Sequence, residues 1–177
     1  MTNNTLICGL ALAVIGIYAY WVDTPDWIKK ANPIIETQNE EAKKAYEEAK
    51  KTDPNAAEPK MKEPKKQSMT ALIPAALGLV WLLVVVVVIY KPEFRKHAMH
   101  FAAVVGVVGV IGGIYALSGG PKEITELGLP MDLKTMWDQP KIRSGALCAL
   151  VSAIYTGLAV KSFIDARKAQ AEAKPAA

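Results

Sequence analysis

Two histidines, His97 and His100, are the side chains in this chain best spaced for chemistry. With Met99 between them they form an HxxMH sequence at the start of an apolar helix. Positions three apart share a helix face, so two imidazoles there could grip one metal ion. No Asp or Cys stands close enough in sequence to complete such a site, and the nearest carboxylate is Glu93. Neighbours on one helix also cannot supply the two opposed axial ligands that a b-type haem needs. The expectation is therefore a pair of interfacial histidines beside a basic loop. No catalytic residue, metal ligand or cofactor is assigned.

Other chemistries find no foothold. There is no CxxC for a quinone or disulfide reductase, no HExxH for a membrane protease and no Gly-rich phosphate loop. The two cysteines, Cys8 and Cys148, fall at opposite ends of a bundle whose helices alternate in direction. That places them far beyond the roughly 7 Å Cα separation a disulfide allows, so both are expected to be plain apolar side chains. The ionisable side chains within the apolar runs are His100 and Lys161, each close to an end. Small four-helix multidrug exporters depend on a membrane-embedded glutamate, and no run here has one. Proton-coupled antiport is not expected.

The elements that carry these residues are set by segregation of charge from apolarity. The chain has 177 residues, 51% of them apolar, with 38 charged residues and net charge +4. A soluble domain interleaves the two classes, whereas here they alternate in blocks. The charge is too small and too loop-bound to suggest nucleic acid. Four apolar runs follow: 5–22, 70–90, 98–117 and 144–164. Twenty helical residues span about 30 Å, the thickness of a hydrocarbon core. The expected fold is all-α, a polytopic four-transmembrane-helix bundle forming one integral membrane domain over 1–177. The basic turn from Lys91 to His97 makes its flanking spans antiparallel neighbours.

The first run follows an uncharged N-terminus and ends in Tyr18, Tyr20 and Trp21. It reads as a retained span with an interfacial aromatic belt, not a signal peptide. Loop 23–69 holds ten acids and ten bases. Thr24-Pro25-Asp26 resembles a helix start, and Asn32-Pro33 a stop. Thr37 and Glu40 are placed as the capping box of a solvated helix that Asp53-Pro54 ends. Residues 55–67 read as a linker without fixed structure, and the whole loop as a charged spacer or a docking helix for a partner subunit. Ser118-Gly119-Gly120-Pro121 reads as a hard stop after the third span. Gly128–Pro140 is expected to hold a short interfacial helix around Leu133, Met136 and Trp137. The alanine-rich tail reads as a fraying helix.

Small residues mark the expected helix-packing surfaces: Ala102, Gly106, Gly109 and Gly113 in the third run, and Gly145, Ala149, Ala153 and Gly157 in the fourth. In lipid, close backbone approach substitutes for the hydrophobic effect between helices. Ser144, Cys148, Ser152 and Thr156 form the adjacent row. Loop 91–97 and the tail are short and densely basic, which favours both termini in the cytoplasm.

Several segments, KQSMTALIPAALG, YKPEFRKHAMHFAAVVG, IRSGALC and LAVKSFIDARKAQ, resemble a group of short, uncharacterised bacterial integral membrane proteins. These share the S-x-TALIPA start, the RKHAMH turn and the V-[KR]-SFI-x-AR exit. More remotely, the four-span, glycine-rich plan resembles the small TMEM14-type family. Neither resemblance implies an activity, and the long charged first loop departs from the compact plan. The expected function is non-enzymatic: a structural or accessory protein of the cytoplasmic (inner) membrane. It would contact the lipid bilayer, itself as a homo-oligomer or a larger membrane complex. The alternatives are an oligomeric passive channel or carrier for a small neutral solute, and a metal-dependent enzyme using His97 and His100.

Overall fold

In the computed structural model, which describes residues 2–67 and 69–172, the chain is helical, with no strand among the described residues. Six α-helices follow in order: α1 (Thr2–Tyr18), α2 (Thr24–Thr52), α3 (Ile73–Tyr90), α4 (Arg95–Glu126), α5 (Leu133–Asp138) and α6 (Pro140–Glu172). Four continuous helical stretches, Asn3–Thr52, Met69–Tyr90, Pro92–Glu126 and Pro140–Ala169, are long and apolar enough to cross a membrane. Helices α1, α3, α4 and α6 form the bundle. α1 packs chiefly on α3 and α4 chiefly on α6, while contacts of α1 with α6 and of α3 with α4 close the ring.

Three expected breaks are absent. α1 does not end at Asp23: a single π-helical turn, Ala19–Asp23, passes it directly into α2, and Thr24 is an interior residue instead of an N-cap. Its hydroxyl donates to the Ala19 carbonyl at 2.7 Å. In this register Pro25 has no N–H to offer the Tyr20 carbonyl, which instead accepts from Gln67 Nε2 at 3.1 Å. Pro33 likewise sits inside α2. Thr37, expected as a cap, donates back to the Pro33 carbonyl at 3.0 Å. The glycine-proline stop at 118–121 is also overridden. α4 continues to Glu126 because Gly120 lies directly against Ile142, so tertiary contact outweighs local propensity. The true stop is Gly128, at φ +69°, which only glycine adopts freely. Gly128 N–H reaches the Thr125 carbonyl and Leu129 N–H the Ile124 carbonyl, the two bonds of a Schellman terminus. The short helix expected within 128–140 is α5, capped by Asp132 Oδ1 on Thr135 N–H at 2.7 Å. α6 begins at Pro140 and runs to Glu172, and the rest of the tail lies outside the described residues.

The hairpin α4–α6 repeats the hairpin α1–α3. Thr5, Gly9, Leu12 and Gly16 are buried in α1, and 97 residues later Ala102, Gly106, Gly109 and Gly113 are buried in α4. Pro74, Gly78, Trp81 and Val85 are buried in α3, and 74 residues later Cys148, Ser152, Tyr155 and Ala159 are buried in α6. The hydrogen bonds obey the same exchange. Trp81 Nε1 donates to the Ala102 carbonyl at 3.1 Å, while Tyr155 and Thr5 hydroxyls bond at 3.2 Å. The equivalent rings Trp81 and Tyr155 touch each other, 4.3 Å between centroids. Equivalent residues in mutual contact lie on a two-fold axis, so a pseudo-dyad runs between these rings along the bundle. Ile17-Tyr18-Ala19 and Ile114-Tyr115-Ala116 keep the 97-residue offset, but Pro25 and Pro121 are 96 apart. The π-helical turn lies between Ala19 and Pro25, where α1 takes up that extra residue.

Each aromatic pair member fills volume and satisfies one polar handle inside an apolar core that also holds Leu12, Val84, Val88 and Ala159. Tyr155→Phe is expected to cost about 1 kcal/mol in detergent unfolding, the worth of one buried hydrogen bond, and Trp81→Phe more, because it also leaves a cavity in the core. Because the rings touch, the double variant should deviate from additivity.

Candidate functional site: a polar cap on one end of the bundle

Beyond the apolar part of the bundle, α2, the end of α4 and the start of α6 build a second core. Trp27, Ala31 and Ile35 pack on Ile124, Leu127 and Ile142. The root of loop 23–69, expected as part of a charged and mostly solvated spacer, is thus buried. The root of α2 is buried because residues 27, 31 and 35 fall on one helix face, which the extension of α4 past Pro121 covers.

At the centre of this cap is Glu123, whose side chain is 8% exposed. Its Oε1 accepts from Trp27 Nε1 at 3.2 Å and pairs with Lys65 at 3.3 Å. Its Oε2 accepts from Gln139 Nε2 at 3.2 Å and Lys141 Nζ at 2.8 Å. Trp27 and Glu123 are again equivalent residues in contact, 96 positions apart, so the pseudo-dyad continues into the cap. Burial alone would raise the Glu123 pKa. The Lys141 hydrogen bond and charge, the Trp27 bond and the Lys65 charge outweigh it and hold the carboxyl below the usual range. Beside it, Asp23 pairs with Arg143, and the guanidinium lies 6.0 Å from the centre of the Tyr18 ring. Lys30 reaches Asp138 at 3.1 Å, tying α2 to the end of α5.

The segment expected as a linker without structure is held along α2. Asn39 Oδ1 accepts Lys62 N–H and Asn39 Nδ2 donates to the Lys62 carbonyl, both at 2.8 Å. Asn32 treats Lys65 the same way, at 2.7 and 3.2 Å. Seven helical residues rise about 10.5 Å and three extended residues span about 10 Å, so the spacings match as the chain runs back antiparallel to α2. An asparagine amide offers one donor and one acceptor, the complement of a peptide unit. The signal in the sequence was the heptad spacing of Asn32 and Asn39. Lys62 also reaches Gln38 Oε1 at 2.8 Å and the Glu126 carbonyl.

The sequence-derived packing residues divide. Gly106, Gly109 and Gly113 face α6, where a Cβ on Gly113 would fall 2.6 Å from the Gly145 carbonyl oxygen and 2.7 Å from Ala149. Ala102 is fully buried and accepts the Trp81 bond. Gly145 and Ala149 join this seam, but Ala153 and Gly157 are exposed, and a Cβ on Gly157 would meet nothing within 4 Å beyond its own stretch of helix backbone. A four-residue repeat gains about 40° per step on a helix, so the row turns out of the contact by its third and fourth members. The face that stays in contact is Cys148, Ser152, Tyr155 and Ala159, spaced four, three and four. Cys148 Sγ lies 3.8 Å from the Gly109 carbonyl, and both cysteines are buried free thiols.

A second close-packed seam was not read from the sequence. Gly9, Ala13 and Gly16 of α1 meet Ala75 and Gly78 of α3, where a Cβ on Gly78 would stand 2.5 Å from the Gly9 carbonyl oxygen. Its signal was present: Gly9 and Gly16 repeat the spacing of Gly106 and Gly113.

His97 and His100 lie at the other end of the bundle and are exposed. His100 Nδ1 is 2.7 Å from the Lys96 carbonyl and its ring packs on Phe163. No group of three or more candidate metal ligands occurs among the described residues. No family model, no curated protein and no solved structure matches the chain.

Proposed function

We propose that this chain is a non-enzymatic integral membrane protein, an accessory subunit whose four-helix bundle anchors a rigid charged arm on one face of the membrane. The observation that carries this reading is the joint between bundle and arm. α2 is a continuation of α1, and its root is fixed by an apolar core and the Glu123 cluster instead of hanging from a flexible tether. From Gln38 to Thr52 the helix then projects as about 22 Å of charged surface. Large apolar side chains such as Leu79, Leu83, Phe101, Val104 and Ile111 face outward from the bundle, which suits lipid contact.

The start of α1 and the end of α6 lie at the end of the bundle opposite the arm. With the termini cytoplasmic, as the basic turn at 91–97 favours, the arm stands outside the inner membrane. The pseudo-dyad of the bundle is filled by Trp81 and Tyr155, which favours an anchor over a conduit along that axis.

The test is membrane fractionation followed by gentle detergent extraction and native mass measurement. A foreign subunit at fixed stoichiometry, lost on substituting exposed Ala45 and Ala49 of the arm with Arg, is the expected result. A monomer or homo-oligomer indifferent to those substitutions would overturn the accessory reading.

A further inference from the structure

A groove of about 160 Å³ lies between the end of α1 and the start of α6, lined by Val14, Ile15, Tyr18, Leu147 and the Asp23–Arg143 pair. Its walls are apolar and its polar end is the ion pair. We propose that this groove holds one anionic phospholipid, with its phosphate on Arg143 and an acyl chain along Val14, Ile15 and Leu147. The proposal rests on the membrane reading above and adds a ligand to it.

Four observations converge on that occupant. First, the groove lies where the apolar part of α1 gives way to Asp23 and where that of α6 begins after Arg143, the depth of lipid head groups. Tyr18 and Trp21, both more than half exposed, mark the same level as an aromatic belt would. Second, Arg143 Nε is buried and has no hydrogen-bond partner among the described residues, so a donor is left over after the Asp23 pair is made. Buried donors are seldom left so, and a phosphate oxygen is the acceptor a guanidinium fork fits best. Third, the ion pairs of the cap above the groove set four bases, Arg143, Lys141, Lys65 and Lys30, against three acids, Asp23, Glu123 and Asp138, an excess of one positive charge that favours an anion. Fourth, the opening faces outward beside exposed Val14, where a chain already in the bilayer can enter from the side. The π-helical turn contributes directly. By shifting the register of α1 at Ala19–Asp23 it coincides with the wall of the groove, a frequent use of such turns.

The experiment reconstitutes the full chain in vesicles of phosphatidylcholine with one quarter phosphatidylglycerol, re-extracts it gently and counts retained lipids by native mass spectrometry. The expected result is one phosphatidylglycerol per chain, enriched over phosphatidylcholine by roughly fivefold, the factor one basic residue near an anionic surface is worth. Two variants lose that enrichment by different routes. Asp23→Asn/Arg143→Gln removes the charge without orphaning its partner, and Val14→Trp blocks the mouth while leaving every charge in place. Equal retention of both lipids by the wild type would overturn the proposal. So would enrichment that survives Val14→Trp, since the head group would then be held without the groove. Recovery of the chain outside the membrane fraction would overturn the membrane reading first and this proposal with it. Membrane recovery without enrichment would overturn this proposal alone.

Discussion

Replacing Glu123 with alanine is expected to destabilise the protein by about 3–5 kcal/mol, because it leaves buried partners of a carboxylate without their acceptor. Trp27, Gln139, Lys65 and Lys141 all converge on its two oxygens. Lys141 keeps 53% of its side chain in water and Lys65 33%, so solvent takes back part of the loss and the lower end of that range is expected. The loss should be local. Amide exchange in α2 between residues 24 and 38 should accelerate, while the helices around Trp81 and Tyr155 stay protected. Unchanged protection at the root of α2 would mean that the Glu123 cluster does not fix the joint. Glu123→Gln adds the pH dependence. A carboxyl held below its usual range in the folded protein contributes its full stability above about pH 4.3, its unfolded value, and loses it as pH falls through the lower folded value. The penalty of Glu123→Gln should therefore be full at pH 7 and shrink as the wild type is acidified below the ordinary glutamate range.

Gly113→Leu should be comparably damaging. The new side chain has the Gly145 carbonyl and the Ala149 backbone directly in its path, and neither can rotate aside as a flexible side chain would. Overpacking against backbone is expected to cost about 3 kcal/mol, lowering the unfolding temperature by about 6–12 °C for a chain this size. Gly157→Leu is the control. With open space around its Cβ position it should leave the unfolding temperature of the extracted protein unchanged. Equal shifts for the two variants would mean that the α4–α6 seam is not as the structure places it.

The two-fold repeat bears on both results. The Gly113 seam and the Gly16 seam are equivalents 97 residues apart, as are the bonds Trp81 to Ala102 and Tyr155 to Thr5, with offsets of 74 and 97. The hairpins differ in what they insert at the arm end of the bundle. The first inserts the long arm and its antiparallel return, and the second a short extension of α4 with α5. The polar cap is where these two insertions meet.

Helix content and the four long apolar helices were legible in the sequence, because each run is long enough to set its own structure whatever surrounds it. The glycines of α4 were legible for a similar reason: four-residue spacing over one or two turns stays on one face. Over four members it does not, and only the structure could turn Ala153 and Gly157 outward. Local signals failed wherever tertiary contact outweighed them. Thr24-Pro25, Asn32-Pro33 and the glycines before Pro121 each weaken a helix by a few kcal/mol at most, less than the burial of Trp27, Ile35 and Ile124 in one core returns. Glu123 was invisible for the complementary reason. Its partners come from residues 27, 65, 139 and 141, and nothing in a linear reading sets one acid among many apart until helices distant in sequence enclose it. The sequence by itself thus determined the helices, through length and hydropathy. The tertiary structure alone decided which residues each helix turns inward, because that depends on the register between helices, and so it alone placed the arm, the cap and the groove.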